Sequence, residues 1–313
     1  MESSTFMAAG SPGVGEPILV TVPVKNEAPR LRSSVLALKE ALDRSGLAYQ
    51  LSIAEDGSTD GTKHVLAELQ ALIPGLIVQV EPRSLGRGKA LRKLWGGIPA
   101  SVYCFTDADL AAGSRAVVEA IEQVLGGEDV VIGSRYVAGA RLDRPPLRSA
   151  IARAYNRLTR ALFSEPIRDH QCGLKAFRGS VIREILPQTV EDSWFWDTEI
   201  VVLSVLRGYA VSEMPVHWVE HKVRRTSLRR LYSDIVLHGT GLLRLRGRLS
   251  ERAHAPSPVL ARELVPGTPT ECTSLTGDPV HRISASSVLN PSRWPGPRLP
   301  QTDPEREPIT PRA

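Results

Sequence analysis

The sequence predicts an α/β protein built on a mostly parallel sheet with helices on both faces. Short apolar runs alternate with stretches whose apolar residues recur at helical spacing, and polar, glycine-containing motifs follow several of the apolar runs. No internal repeat competes with that reading. A chain of 313 residues with 42% hydrophobic content has room for one large domain of this class.

The rhythm begins with Ile18-Leu19-Val20-Thr21-Val22, a buried strand, followed by a helix over 31–44. It repeats as a strand at 50–54, a helix over 62–72, a strand at 76–80 and a helix over 89–96. A strand at 101–105, a helix over 114–125 and a strand at 129–133 complete the regular part. Farther along, 148–163 and 197–207 read as helices, 182–186 as part of a shorter one, 209–219 as holding a short strand, and 227–243 as a basic final helix. In open sheets of this kind ligands bind beyond the carboxyl ends of the strands, where the connecting loops converge.

Outside the core the composition changes. From about residue 250, Pro, Ser, Thr, Glu and Arg crowd together and periodicity vanishes, so the expected organisation is a flexible N-terminus over 1–16, a domain over 17–249 and a disordered tail over 250–313. Cys104, Cys172 and Cys272 lack metal-ligand spacing, and their odd number argues against a disulfide framework, which points to a reducing cytoplasm. The N-terminus lacks a basic region and apolar run, and no apolar segment reaches the about 18 residues a membrane span needs, so no span is expected. The formal charge of +5 is unevenly placed: Lys222, Arg224, Arg225, Arg229, Arg230, Arg244, Arg246 and Arg248 crowd together, with Asp234 opposing them. Such a cluster suits an anionic membrane surface or a phosphate-bearing acceptor. It lacks the interleaved aromatics of a nucleic-acid site, so nucleic acid is excluded as a partner.

The chemistry-bearing motifs sit in the loops. Asp107 and Asp109 follow a buried strand, separated by one small residue, so both carboxylates can converge on a hard cation such as Mg²⁺ or Mn²⁺ whose shell is completed by substrate phosphate. Glu55-Asp56-Gly57-Ser58-Thr59-Asp60-Gly61-Thr62 ends the second strand with two acids suited to a base or ribose, then turns at Gly57 and caps the next helix. Gly86-Arg87-Gly88-Lys89 opens a helix, placing Lys89 to meet phosphate with help from the helix dipole. Asp197 and Glu199, two apart at a helix start, are read as reaching opposite sides of one site, and Cys172 as a small apolar filler.

These motifs, with Val22-Pro23-Val24-Lys25-Asn26-Glu27 and Gly133-Ser134-Arg135-Tyr136, resemble family 2 glycosyltransferases of the GT-A, Rossmann-like fold, in order and spacing. Asp169 to Phe177, Phe195 to Glu199 and Glu213 to Trp218 extend the likeness toward polyprenyl (dolichyl) phosphate sugar synthases, nearer the glucosyl than the mannosyl branch. The resemblance implies an inverting transfer of a hexose from a nucleotide-sugar, UDP-glucose before GDP-mannose, to a polyprenyl phosphate on the cytoplasmic face of a membrane. It implies that Pro23, Asn26, Glu27, Asp56 and Ser58 line the nucleotide pocket, that Asp107 and Asp109 hold the cation, and that Arg135 and Arg148, with Arg153 nearby, hold the lipid phosphate. Gln171 and Lys175 approach the sugar or acceptor, and Asp197 acts as a base or binds sugar hydroxyls. Ala111 departs from the family where some relatives place a polar ligand, and Ala152 where many carry a small hydroxyl residue. A soluble metabolite as acceptor, or a nucleotidyltransferase on the same fold, are the competing expectations.

Overall fold

A computed structural model describes residues 15–220 and 228–254, with side chains from 228–234 and 252–254 left aside. The expected flexible N-terminus and proline-rich tail lie almost wholly outside these residues, as do Lys222, Arg224 and Arg225.

The first strand, β1 (Ile18–Val24), is buried along nearly its whole length, as its apolar run requires. It feeds α1 (Ala28–Ser45), which buries a stripe of Leu31, Val35, Leu38 and Leu42 and stops where Gly46 turns left-handed at φ 70°. The alternation continues through β2 (Tyr49–Glu55), α2 (Thr62–Leu72), β3 (Ile77–Val80), α3 (Arg87–Gly96), β4 (Val102–Thr106), α4 (Ser114–Leu125) and β5 (Val130–Ser134). The second half holds β6 (Arg141–Asp143), α5 (Pro146–Phe163), β7 (Leu174–Arg178), α6 (Gly179–Ile185), α7 (Trp196–Leu206), β8 (Val211–Pro215), β9 (His217–Val219) and α8 (Leu228–His254).

The main sheet is seven-stranded in the order β3-β2-β1-β4-β7-β5-β8. β7 runs antiparallel to both β4 and β5, and the other pairings are parallel. The expected mixed, mostly parallel sheet is therefore present. α1, α2 and α4 cover one face and α3, α6 and α7 the other. β6 and β9 form a separate parallel pair. Between the sheet and α3, polar groups pair inside the core: Trp95 Nε1 donates to Thr21 Oγ1 at 2.9 Å, and that hydroxyl meets Ser52 Oγ at 2.8 Å. Around Trp95 the rings of Tyr103, Phe105, Phe177 and Trp196 pack at centroid distances of 5.3 to 6.0 Å.

Three expectations change. β7 occupies a segment where no strand is expected, because Lys175 within Leu174–Arg178 disguises a strand whose burial is nearly complete. The single strand expected within 209–219 divides into β8 and β9, which pair with different sheets. The last helix runs from Leu228 to His254, past its expected end at residue 243 and past the domain boundary at 249. Its continuation is held by Leu242 and Leu245, which pack with Phe163, Phe195 and Val202 in a second, smaller core.

That packing depends on a glycine. A Cβ at Gly241 would lie 2.5 Å from the Phe195 ring, which is fully buried. Gly241→Ala is expected to lift α8 from α7: alanine gains up to ~1 kcal/mol of helix propensity, against an overpacking cost of roughly 1–3 kcal/mol. Limited proteolysis should then cut within α8 while the sheet domain resists.

Candidate active site

At the carboxyl ends of β1, β2 and β4 the loops enclose a cleft of about 540 Å³. Asp107 leaves β4 at its floor and is fixed by its backbone, whose N–H donates to Gly173 O at 3.0 Å. The turn closes when Leu110 N–H donates to Asp107 O at 2.9 Å, with Leu110 itself left-handed at φ 48°. Asp109 reaches the same cleft, its Oδ1 accepting from Ala111 N at 3.3 Å. Gly173 backs the Asp107 carboxylate so closely that a Cβ there would stand 1.9 Å from Oδ2. Burial pushes the Asp107 carboxyl above its ordinary range; Arg87 pulls it back, while Asp109 and Asp197 push it further up.

This donor set fits a hard divalent cation that takes the rest of its shell from outside the protein. Among the described residues no cluster of three or more acids, histidines or cysteines forms a self-sufficient cage. Two carboxylates facing an open cleft, with negative charge in excess, suit Mg²⁺ or Mn²⁺ completed by phosphate oxygens and water.

The residue nearest that pair is Arg87, not Lys89. Arg87 NH1 lies 2.9 Å from Asp107 Oδ1 and 3.5 Å from Asp197 Oδ2. Its guanidinium sits between the rings of Phe105 and Trp194, at 4.9 and 4.7 Å from their centroids. Lys89 is half exposed, outside the cleft lining, with Nζ 3.8 Å from Asp192 Oδ2. Its backbone N–H donates to Asp192 O at 3.2 Å, so that first-turn amide of α3 is already used. The glycines explain the choice: Cβ atoms at Gly86 and Gly88 would fall 2.3 Å from Asp192 O and 2.5 Å from Trp196 Cβ. Residue 87, held between two such close approaches, is the one turned into the cleft; the Gly-x-Gly spacing carried that signal.

Asp197 is 1% exposed and absent from the cleft lining. It lies between Arg87 and the fully buried Lys175, whose Nζ donates to Cys172 O at 2.7 Å and stands 3.5 Å from Asp197 Oδ1. Lys175 thus supports the floor instead of reaching the cleft. Glu199 does not share this site. Two residues along a helix turn by about 200°, so Glu199 faces away and accepts from Val190 N at 3.1 Å and Glu191 N at 2.9 Å. It also pairs with Arg248, while Arg244 grips Glu191 through two contacts of 3.0 Å. These two arginines of the basic cluster therefore point at acids of the domain and not outward.

At the other end of the cleft Pro23, Asn26, Glu27 and Asp56 line the wall. Asn26, left-handed at φ 55°, accepts from Thr59 N at 2.8 Å and donates its own N–H to Ser58 Oγ at 2.9 Å. Ser58 is therefore a tie between loops and not a lining group. Asp56 accepts from Ser84 Oγ at 2.8 Å, Leu85 N at 2.5 Å and Gly86 N at 3.0 Å, which anchors the loop that presents Arg87.

A cationic corner closes the cleft. Arg135 forms a bidentate pair with Asp169 at 2.7 and 2.8 Å and lies over the Trp218 ring at 4.9 Å. Burial alone would raise the Asp169 carboxyl, but Arg135 more than reverses this and holds it below its usual range. Arg144 and Arg148 share Glu220, with Arg144 Nε 3.4 Å from it and Arg148 in direct contact. Burial, then repulsion from Arg135, lowers the Arg144 guanidinium, and Glu220 offsets part of this. Arg153 stacks over Tyr136 at 5.4 Å. Arg135, Arg144 and Arg148 also line a second hollow of about 530 Å³, continued by Ile151 and Leu158 of α5 and Ile235 of α8. Gln171 lines this hollow, its Nε2 donating to Thr198 Oγ1 at 2.6 Å.

Gly173→Ala is expected to displace Asp107 and to weaken cation-dependent nucleotide binding by about tenfold or more, the equivalent of an overpacking cost of roughly 1–3 kcal/mol. Calorimetric titration with nucleotide and Mn²⁺ checks this, beside an unchanged circular dichroism spectrum.

Comparison with known proteins identifies the family and the fold. The family model Glycosyl transferase family 2 matches residues 19–186. Glycosyltransferase AglD of Haloferax volcanii is 30% identical over 303 residues, covering 92% of this chain and 48% of its own. The chain thus spans about half the length of that relative. A dolichyl-phosphate beta-glucosyltransferase of Saccharomyces cerevisiae is 26% identical over 224 residues, covering 64% and 66%. Among solved structures, glucosyl-3-phosphoglycerate synthase from Mycobacterium tuberculosis with Mn²⁺, UDP-glucose and phosphoglyceric acid superposes with a TM-score of 0.59 at 18% identity, covering 74% of this chain and 80% of that one. That likeness shows the GT-A fold. With the matching span, the acid pair at the end of β4 and the shared fold, the chain belongs to glycosyltransferase family 2.

Proposed function

We propose that this protein transfers a hexose, glucose before mannose, from a nucleotide-sugar to a polyprenyl phosphate, with inversion at the anomeric carbon. The observation that carries the reading is the arginine corner shared by the acid-floored cleft and the apolar hollow between α5 and α8. An acceptor with an anionic head and a hydrocarbon tail fits that junction, with the head on Arg148 and Arg144 and the tail along Ile151, Leu158 and Ile235.

The chemistry agrees with this choice. A phosphate nucleophile is anionic at neutral pH and needs orientation more than deprotonation. Asp197, enclosed by Arg87 and Lys175, is poorly placed to take a proton from a hydroxyl acceptor, whereas the arginines present guanidinium forks to phosphate oxygens. Asp107 and Asp109 would hold Mg²⁺ or Mn²⁺, which supplies charge stabilisation to the departing diphosphate. Pro23, Asn26, Glu27 and Asp56 are assigned to the nucleoside. The names of relatives such as the yeast dolichyl-phosphate beta-glucosyltransferase support the same donor and acceptor classes.

Contact with a membrane surface belongs to the proposal. Leu147 and Leu158 on α5 and Ile235 and Leu243 on α8 are exposed near the hollow, and no helix among the described residues is long and apolar enough to cross a bilayer. We assign the enzyme to the cytoplasmic face, with the catalytic unit running from about residue 17 to the end of α8 at His254.

A matrix of UDP- and GDP-sugars against polyprenyl phosphate and soluble acceptors, read by mass spectrometry and anomeric configuration, tests this. The expected product is a lipid-linked hexose phosphate of inverted configuration. A water-soluble glycoside, or pyrophosphate release from a nucleoside triphosphate, overturns it. Asp107→Asn and Asp109→Asn should each lower turnover by about 10²-fold or more, the scale of losing a charge stabiliser. Arg148→Ala should raise KM for lipid phosphate by about tenfold while donor KM stays within about twofold, as expected for a charged contact made to one substrate.

A further inference from the structure

Arg87 is over-committed on one nitrogen and idle on the others. NH1 serves both Asp107 and Asp197, while Nε and NH2, also buried, have no hydrogen-bond partner among the described residues. A residue 8% exposed rarely leaves guanidinium donors unsatisfied, because each then loses its water without gaining a partner. The guanidinium carbon stands 4.9 and 4.7 Å from the centroids of the Phe105 and Trp194 rings, which flank it with apolar surface that offers the idle nitrogens no strong acceptor. Arg87 is also among the residues that line the cleft, beside Asp107 and Asp109.

The same geometry sets up a competition. Asp107 Oδ1, one of the oxygens assigned to the cation, is the atom that NH1 holds at 2.9 Å. A divalent cation on that oxygen would stand close to a guanidinium whose charge has the same sign, in a partly buried site where water screens the repulsion poorly. Cation and arginine are thus antagonists at Asp107 unless a third charge separates them. A diphosphate supplies that charge: it is anionic, and its oxygens can accept from two adjacent nitrogens of the planar guanidinium.

We propose that Arg87 couples the two ligands of the donor site, holding Asp107 and Asp197 neutralised on its own and passing to the donor diphosphate, so that cation and nucleotide are admitted together. This inference rests on the assignment of a cation-dependent nucleotide-sugar site in the preceding subsection. Its consequence is strong positive cooperativity: the bare protein binds Mn²⁺ poorly, and the nucleotide and the cation each raise the other's affinity by the same factor.

The test measures Mn²⁺ binding to the full-length protein by electron paramagnetic resonance, with and without UDP, and UDP binding by calorimetry in the absence of metal. For the wild type, weak binding of Mn²⁺ alone and at least about tenfold tightening by UDP are expected, the ordinary scale of coupled sites. Arg87→Gln should bind Mn²⁺ alone several-fold more tightly than the wild type and UDP alone several-fold more weakly. Arg87→Lys, which keeps the charge on a thinner side chain that the aromatic sandwich holds less firmly, should shift both values in the same directions by less, and it serves if the glutamine variant does not fold. Unchanged or weaker binding of Mn²⁺ alone in a folded Arg87 variant overturns the coupling while leaving the donor site intact. Failure of the wild type to bind Mn²⁺ even with UDP overturns the donor site itself, and the coupling with it.

Discussion

The floor of the cleft is organised by a charge problem: Asp107 and Asp197 both come within reach of Arg87 NH1, and Arg87 and Lys175 are the cations that make this tolerable. Breaking a buried pair by removing one partner typically costs about 3–5 kcal/mol, so each element that carries one of these groups is tied to the others. β4 brings Asp107, β7 brings Lys175, α3 brings Arg87 and α7 brings Asp197. Glycines 86, 88 and 173 are where these elements come too close for a side chain. The close backbone approaches follow from the need to bring the charges together.

A second tier of ion pairs holds the first in place. The segment from Val190 to Trp194, which carries the ring over Arg87, is fixed from below by Glu199 and from outside by Arg244 and Arg248 of α8. Asp56 does the same for the loop from Ser84 to Gly86 on the opposite wall. The cationic corner stands apart from both: Asp169 compensates Arg135, but Glu220 is shared between Arg144 and Arg148 and leaves positive charge over. The site therefore has a neutralised floor and an under-neutralised entrance, an asymmetry suited to an anion that arrives from the side of α5.

Much of this was legible in the residues. The βα alternation in the first half, the acid pair after β4 and the acids after β2 follow from local rules of period, burial and turn chemistry, which act within a few residues. What local rules could not reach was side-chain direction. Lys89 looked like the phosphate ligand by its position at a helix start, but Arg87 faces the cleft because close packing fixes the residue between two glycines. Asp197 and Glu199 looked like one constellation, yet helical rotation separates them. Arg244 and Arg248 read as part of a basic cluster suited to an anionic surface or a phosphate, and only the path of the whole chain brings acids opposite them. β7 escaped notice for a related reason: a lysine within a short strand reads as solvent-facing until its buried acid partner is known.

β7 has a further consequence. A strand that runs against its neighbours enters the sheet at the edge where they leave it, so β7 starts beside the end of β4, with Leu174 opposite Thr106. A parallel strand of the same five residues would start at the far edge, roughly 15 Å away at about 3.3 Å per residue. Reversed polarity is thus what lets Gly173 lie against Asp107, joined through a single rung from Asp107 N–H to Gly173 O. Insertion or deletion of one residue between His170 and Leu174 would put a side chain where the α-carbon of Gly173 now rests. The chain has no slack at that rung, although long loops nearby have it in abundance.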